Sequence, residues 1–253
     1  MVVWYMNGAG NDFAVVDARN ISIDMSNMAK VLCEKGNCDG FMALDNSSIA
    51  DIKLHFYNRD GSRADMCGNG MRCMCRFAYD NGIVGKEMTV ETDAGIVVGE
   101  RVSENIYRIK LNPPKNIRLD IEAGVSFVVV GVPHLVIELE SLDFYDASRL
   151  FDRARALREK YDANVNFCSK ISSDTVKVLT YERGVENFTL ACGTGSGAVA
   201  TILCKNGIIN GSRVIVKNQG GDLILTNMEC GELYLDGGAE VDGVVAVDLE
   251  RLK

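Results

Sequence analysis

Short runs in which apolar and polar residues alternate recur along the whole chain, and they predict a fold built mainly from β-strands. The runs are rich in β-branched residues and are bounded by Gly, Asn or Asp, as half-buried strands usually are. The predicted strands are Phe13–Asp17, Ile52–Phe56, Thr89–Thr92, Ile106–Leu111, Ser126–Val130, Leu135–Glu138, Thr175–Leu179, Arg213–Lys217, Leu223–Thr226 and Val244–Leu249.

Apolar residues with helical spacing occupy only a few segments between these runs. They follow Asp24, cover Ala147–Tyr161, and come directly after each of two Cys-Gly-x-Gly sequences. Because strands dominate and helices do not alternate with them regularly, the pattern predicts an α+β fold rather than a parallel α/β sheet.

The two Cys-Gly-x-Gly sequences lie in matching contexts. Cys67 stands fourteen residues before Asn81-Gly82-Ile83, and Cys192 stands fourteen residues before Asn206-Gly207-Ile208. A run of matching elements in the same order predicts two similar halves, each of which presents one thiol.

The boundary between the halves is expected near Asn112-Pro113-Pro114-Lys115-Asn116, which contains two of only three prolines in the chain and is interpreted as a linker. The N-terminal half then covers residues 1–114, and the C-terminal strand 244–253 is expected to return to its sheet. The second half covers residues 115–243.

Composition and charge exclude several kinds of partner. The formal net charge is −8 and no basic stripe is present, which argues against nucleic acid or an anionic membrane. The first residues lack the regions of a signal peptide, and no apolar run reaches membrane-spanning length. We therefore expect a cytoplasmic protein that acts on a small molecule.

The nine cysteines are an odd number in a chain without a secretion signal, which predicts reduced thiols rather than a disulfide framework. No Cys-x-x-Cys pair is present and there are only two histidines, so no metal site is expected. Most of the thiols are expected to be small buried apolar groups. Only Cys67 and Cys192 have a context that indicates chemistry.

A Cys-Gly-x-Gly sequence at the start of a helix is suited to bind an anion. The first backbone N–H groups of a helix are unpaired and carry a partial positive charge, and glycines let a ligand approach them closely. The same field favours a thiolate over a thiol at the cysteine. Two such motifs could hold one α-carboxylate while one cysteine removes the α-proton and the other delivers a proton to the opposite face.

Other interpretations of the motifs are open at this point. Each could be a simple turn before a helix with an inert thiol, or the thiols could serve a Cys–His hydrolase or a redox pair. Of the two histidines, His55 is expected to lie mid-strand, and His134, after Pro133, is expected to order a loop. Two copies in matching context favour catalysis, and no pyridoxal phosphate or dinucleotide motif is evident.

Several further sequences together resemble the diaminopimelate epimerases, which are amino-acid epimerases and racemases that work without pyridoxal phosphate. The matching sequences are Asn7-Gly8-Ala9-Gly10-Asn11-Asp12-Phe13, Tyr57-Asn58-Arg59-Asp60-Gly61-Ser62, Met66-Cys67-Gly68-Asn69-Gly70, Asn164-Val165-Asn166-Phe167, Tyr181-Glu182-Arg183-Gly184 and Ala191-Cys192-Gly193-Thr194-Gly195. The resemblance implies two similar domains, each a mostly antiparallel sheet or barrel around a central helix, with the active site in the cleft between them. It also implies that no cofactor is needed and that a homodimer forms.

The resemblance assigns roles to individual residues. Cys67 and Cys192 would be the two acid/base groups, and the backbone amides of Gly68, Asn69, Gly193 and Thr194 would hold the reacting α-carboxylate. The residues that would bind the substrate, several of them at its distal, non-reacting end, are Asn11, Asn58, Asn164, Glu182 and Arg183.

Two positions depart from the family pattern and bear on the substrate. Asn7 stands where the family usually has His, and Val132 stands where an Asn contacts the distal end of diaminopimelate. A valine cannot replace those hydrogen bonds, which costs on the order of 1–3 kcal/mol of specificity per lost partner. Diaminopimelate is the first substrate that we expect, and another amino acid such as histidine is the alternative.

Overall fold

The computed structural model describes residues 1–64, 67–210, 212–226 and 231–248. It divides into two compact units, Met1–Ile109 with Gly237–Lys253 and Lys110–Asp236. Met66 of the first cysteine motif, Cys230 and the end of the predicted strand at Leu249 lie outside the described residues.

Four α-helices and eighteen strands make up the described chain. The helices are α1 (Met25–Gly36), α2 (Gly68–Asp80), α3 (Ala147–Tyr161) and α4 (Gly193–Lys205). The strands that begin before residue 110 are β1 (Val2–Gly8), β2 (Asn11–Asp17), β3 (Gly40–Asp45), β4 (Ile52–Asn58), β5 (Arg63–Ala64), β6 (Glu87–Thr92), β7 (Gly95–Arg101) and β8 (Ile106–Leu111). The later strands are β9 (Lys115–Glu122), β10 (Val125–Val130), β11 (Val132–Glu138), β12 (Asn164–Lys170), β13 (Thr175–Glu182), β14 (Asn187–Thr189), β15 (Arg213–Asn218), β16 (Gly221–Thr226), β17 (Leu233–Gly238) and β18 (Glu240–Ala246).

In the first unit, β1 pairs antiparallel with β2 and with β18, which returns from the far end of the chain. β2 then pairs parallel with β3, and β3 antiparallel with β4. β4 pairs parallel with β6, which forms an antiparallel hairpin with β7. Each parallel pair is bridged by a helix, α1 between β2 and β3 and α2 between β4 and β6, as parallel connections require.

The second unit repeats this order of pairings strand for strand. β10 and β11 are antiparallel, β11 and β12 parallel, and β12 and β13 antiparallel. β13 pairs parallel with β15, and β15 antiparallel with β16. The helices α3 and α4 bridge the two parallel pairs. The duplication seen in the cysteine motifs therefore extends to the whole unit.

The helix that follows each cysteine motif is the central helix of its unit. α2 packs against β1, β2, β3 and β7, and α4 packs against the corresponding strands β10, β11, β12 and β16. Gly195–Leu203 is buried without a break in α4, as expected for a helix enclosed on all sides. α2 is buried along Asn69–Cys75, a stretch that includes the charged residue Arg72.

The repeated Asn-Gly-Ile sequences end these two helices in the same way. Gly82 and Gly207 both have φ of 67°. The Ile83 nitrogen donates to the Ala78 carbonyl and the Ile208 nitrogen to the Leu203 carbonyl, both at 2.9 Å. This is the Schellman arrangement, in which a left-handed glycine lets the chain turn back on the last carbonyls of the helix.

The structure confirms the α+β class with a mostly antiparallel sheet in each of two similar units. Two local expectations are wrong. Lys115 and Asn116, which we assigned to a linker, belong to β9, where Asn116 adopts φ of 53°. His134 does not order a loop, because Pro133 is accommodated inside β11 and the strand continues through the histidine.

Candidate active site

Each cysteine occupies the N-cap position of its central helix. Cys67 has φ −128° and ψ 123°, and Cys192 has φ −121° and ψ 114°. The helix begins directly after the extended cysteine, so its first backbone N–H groups have no backbone partners within the helix, which is the arrangement that binds anions. The predicted carboxylate cradle, which consists of the backbone amides of Gly68, Asn69, Gly193 and Thr194, is thus preceded by the same cysteine geometry in both units.

In the first unit, hydrogen-bonded side chains connect Asn69 of the cradle to Asn11. Asn69 Nδ2 donates to Asn11 Oδ1 at 2.7 Å, and Asn11 Nδ2 donates to Asp39 Oδ2 at 3.2 Å. Asp39 Oδ2 also accepts from the Asp12 nitrogen at 3.0 Å. The predicted binding residue Asn11 is therefore held beside the helix start in one orientation.

Asn58 lies at the same end of the sheet as Asn11. It is the last residue of β4 and pairs with Gly40, while Phe13 of β2 pairs with Gly40 on the other side. Its Nδ2 donates to Ser62 Oγ at 3.0 Å, and its side chain is exposed to solvent. The structure thus brings Asn11, Asn58, Cys67 and Asn69 together at one edge of the first unit.

In the second unit, the Cys192 thiol lies within several polar contacts. Its Sγ accepts from the Gly195 nitrogen at 3.4 Å and is 3.5 Å from Thr194 Oγ1. The carboxylate of Glu182, whose Oε1 accepts from Thr189 Oγ1 at 2.6 Å, interacts electrostatically with this thiol. Glu182 is therefore close enough to raise the pKa of Cys192.

Burial and this carboxylate together keep Cys192 protonated. Burial raises the pKa of Cys192, and the negative charge of Glu182 raises it further, against smaller opposing effects of Thr194 and Gly195. Burial also raises the pKa of Glu182. The expectation that the helix end favours a thiolate is thus wrong for Cys192, because burial outweighs the helix field.

Asn164 and Arg183 lie close to Glu182 but make structural contacts. Asn164 Oδ1 accepts from the Arg183 nitrogen at 2.8 Å. Arg183 Nη1 donates to Asp162 Oδ2 at 3.0 Å and to the Asp162 carbonyl at 3.1 Å. The four predicted residues Asn164, Glu182, Arg183 and Cys192 therefore share one region of the second unit.

Asn166, to which the sequence analysis gave no role of its own, packs against the start of α4. Its Oδ1 accepts from Thr180 Oγ1 at 2.9 Å, and its Nδ2 donates to the Leu135 carbonyl at 2.7 Å. A Cβ added to Gly195 would lie 2.4 Å from Asn166 Oδ1, so the glycine is required for the close approach. His134 Nδ1 lies 3.2 Å from Asn166 Nδ2, and burial lowers the pKa of His134 to about 3.

The described residues were also examined for disulfides, metal-binding groups and membrane-spanning helices. None of the described cysteines forms a disulfide, and no group of three His, Cys, Asp or Glu side chains among the described residues could hold a metal ion. No helix within the described residues is long and apolar enough to cross a membrane.

A family model described as diaminopimelate epimerase matches residues 3–115 and 126–241. The chain belongs to this family. It is therefore an isomerase, as the resemblance of its cysteine motifs implied.

Individual relatives agree with the family model. A protein named diaminopimelate epimerase from Aquifex aeolicus is 36% identical over 264 residues, which cover 94% of each chain. A protein of the same name from Alkaliphilus metalliredigens is 34% identical over 267 residues, which cover 93% of each chain. The similarity thus extends over nearly the full length of both relatives.

A solved structure shares the fold at much lower identity. A phenazine biosynthesis protein of the PhzF family from Bacillus anthracis aligns with a TM-score of 0.74 and 16% identity, over 98% of this chain and 99% of its own. The duplicated architecture is therefore common to proteins whose sequences have diverged widely.

Proposed function

We propose that this protein is a diaminopimelate epimerase that interconverts the LL and meso forms of diaminopimelate without a cofactor. One observation carries the proposal. Two central helices with the same cap geometry each begin at a cysteine, in two units with the same order of strand pairings. Inversion of an α-carbon needs one base and one acid, and a matched pair of thiols supplies both.

In the proposed mechanism one cysteine, as the thiolate, removes the α-proton, and the other, as the thiol, delivers its proton to the opposite face. One S–H bond forms and the other breaks, so each turnover exchanges the protonation states of the two residues. The backbone amides of Gly68, Asn69, Gly193 and Thr194 bind the α-carboxylate and stabilise the carbanion. Cys192 starts as the acid, since burial and Glu182 hold its proton.

The remaining binding residues are assigned to the parts of the substrate that do not react. They are Asn11, Asn58, Asn164, Glu182 and Arg183. Asn11 is oriented by Asn69 and Asp39 before substrate binds, and such preorganisation lowers the entropic cost of binding. Glu182 acts on both the substrate and the Cys192 thiol, whose pKa it raises.

A racemase for another amino acid, such as histidine, is a second candidate, and Val132 favours it. Val132 follows Gly131, and a Cβ added to Gly131 would lie 3.6 Å from Thr194 Cγ2. Val132 is 37% exposed, so it offers apolar surface next to the start of α4. A substrate with a less zwitterionic side chain would lose less there than diaminopimelate.

The decisive experiment is hydrogen exchange at the α-carbon in D2O, followed by NMR, with LL-diaminopimelate, meso-diaminopimelate and L-histidine. Exchange with either diaminopimelate isomer supports the first candidate, and exchange with histidine alone supports the second. Exchange with none of them excludes both substrates and favours a binding module whose thiols sense oxidants.

Variants of the two cysteines test the mechanism independently of the substrate. Cys67→Ala and Cys192→Ala should each abolish inversion, while Cys204→Ala, near the far end of α4, should not. Full activity after removal of both thiols would refute the two-base mechanism. A homodimer and a cytoplasmic location belong to the same proposal, and light scattering of the purified protein tests the dimer.

A further inference from the structure

Arg72 is a buried cation in the central helix of the first unit. It is the largest side chain among the fully buried residues of the described chain, with no exposed surface. A buried charge is costly unless it is paired and hydrogen-bonded. Its presence one turn after the cysteine motif therefore calls for an explanation.

Two of its hydrogen bonds secure the start of α2, and a third joins the helix to Gly238. Nη2 donates to Asn69 Oδ1 at 3.0 Å, Nη1 to the Gly68 carbonyl at 3.3 Å, and Nε to the Gly238 carbonyl at 3.3 Å. Gly68 and Asn69 are the two residues of this unit whose amides are assigned to the carboxylate cradle. The guanidinium thus contacts both from inside the protein.

The bond to Asn69 fixes the direction of a chain of hydrogen bonds. Because Arg72 can only donate, Asn69 must present its oxygen to Arg72 and its Nδ2 to Asn11. Asn11 must then accept through its oxygen and donate to Asp39. Reversal of any carboxamide in this chain would place two donors or two acceptors against each other.

The helix itself does not need an arginine at this position. The equivalent residue of α4, five positions after Cys192, is Gly197, and apolar side chains surround it. A Cβ added to Gly197 would lie 2.8 Å from Leu233 Cδ2, 3.3 Å from Leu111 Cδ1 and 3.4 Å from Val130 Cγ1. The two units share one architecture, yet only the first buries a cation here.

We propose that Arg72 is a positioning residue for the epimerase reaction, which orients Asn69 and Asn11 so that the start of α2 presents N–H donors to the substrate carboxylate. Its positive charge also favours negative charge at this helix end, whether on the carboxylate or on Cys67. This inference rests on the proposed function. Other titratable groups near this end of α2 include Cys73, Cys75, Asp12, Asp39 and Asp242.

The test uses the full chain with Arg72→Gln, Arg72→Lys and a matched control, Arg76→Gln. Arg76 lies one turn later on α2 and is also mostly buried. It donates to the Ala239 carbonyl at 2.5 Å and to Asn105 Oδ1 at 3.0 Å, but not to the residues of the cradle. Each arginine also donates to a backbone carbonyl at Gly238 or Ala239, and each substitution removes that hydrogen bond. The two variants therefore differ in whether contacts to Gly68 and Asn69 are lost.

Two readouts are measured, KM with kcat for diaminopimelate epimerisation, and the pH dependence of Cys67 alkylation resolved by peptide mapping. Arg72→Gln should raise KM roughly tenfold or more, as expected for loss of charge-assisted hydrogen bonds, and should shift Cys67 alkylation to higher pH. Arg72→Lys should keep the alkylation profile near that of the wild type while KM stays raised, because it restores the charge but not the orientation of Asn69. Arg76→Gln should leave both readouts unchanged.

A folded Arg72→Gln protein with both readouts within twofold of the wild type would overturn the inference. If Arg72→Gln does not fold, Arg72→Lys decides, because an unchanged KM in that variant refutes the orienting role. A wild-type protein that does not turn over diaminopimelate would refute the proposed function instead, and the alkylation profile would still test Arg72.

Discussion

The Glu182 carboxylate lies near the Cys192 thiol at the start of α4 and raises the pKa of that thiol. Glu182 ends β13, Cys192 caps α4, and the short strand β14 with Thr189 lies between them in sequence. This arrangement places a negative charge near a buried thiol. A proton on sulfur is therefore the resting state of this cysteine.

Replacement of Glu182 by Gln should make Cys192 more acidic and more reactive. The neutral amide removes the repulsion that opposes a thiolate, so alkylation of Cys192 by a small reagent at pH 8 should accelerate by roughly tenfold. Rates are measured by peptide-resolved mass spectrometry. Glu186→Gln, an exposed residue that pairs with Arg158, is the matched control and should not change the rate. Slower or equal alkylation in Glu182→Gln would contradict the electrostatic explanation.

Substitution of Gly195 by Ala should destabilise the second unit. Its Cβ would lie 2.4 Å from Asn166 Oδ1 and 3.0 Å from Thr180 Oγ1, both of which are buried and hydrogen-bonded to each other. Overpacking of this kind costs about 1–3 kcal/mol, which urea unfolding can measure. Gly85→Ala is the control, because the nearest atom to its added Cβ is 3.9 Å away. Equal unfolding midpoints for the two variants would argue against the close approach.

Gly82→Ala and Gly207→Ala should destabilise the protein by similar amounts. Both glycines have φ of 67° and no atom within 4 Å of an added Cβ, so only backbone strain opposes alanine. The left-handed conformation costs a residue with a Cβ about 1–2 kcal/mol. Thermal or urea unfolding of the two variants tests the equivalence of the helix ends. A loss in one variant without a loss in the other would show that the two caps differ.

His134 should make stability depend on pH in a defined window. Burial lowers its pKa from 6.5 to about 3, so the folded protein binds a proton less readily than the unfolded chain. The contribution of His134 to the free energy of unfolding is greatest above the unfolded pKa of about 6.5. It falls by about 1.4 kcal/mol per pH unit as the pH drops toward 3.

The His134→Gln variant isolates this contribution. Its free energy of unfolding should fall less steeply than that of the wild type between pH 6.5 and 4.5, in urea titrations at fixed pH. His55→Gln serves as the control, since His55 of β4 lies 3.3 Å from the carboxylate of Asp45 on β3. Parallel slopes for the wild type and His134→Gln would mean that His134 does not carry the dependence.

The sequence predicted those elements whose pattern is local. Ala147–Tyr161 and Ile106–Leu111 have the predicted limits, because helical or alternating spacing is complete within them. The strands Gly40–Asp45 and Asn164–Lys170 were missed since they are buried on both faces and therefore do not alternate. Such strands are recognisable only once their neighbours are known.

The motifs of the candidate site could also be identified from the sequence, but the charged groups that surround them could not. Cys67 and Cys192 were predicted at helix starts, where the structure places them. The proximity of Glu182 to Cys192 involves residues ten positions apart, separated by a turn and a short strand, and no spacing rule predicts it. Arg72 was overlooked because an arginine within a helix is usually solvated, and only the enclosing sheet makes it a buried charge.

Arg72 and Gly197 occupy equivalent positions in the two units, and the difference between them means that the two cysteines have different electrostatic surroundings. Two identical halves would bind a proton equally well, and an enzyme with one proton to share between two thiols would exist as an even mixture of two forms. In the proposed mechanism, the positive charge of Arg72 in one half and the carboxylate of Glu182 in the other favour one of these two forms. In this mechanism, the duplicated architecture supplies the pair of thiols, and the asymmetry at these positions determines which epimer of the substrate the resting protein accepts.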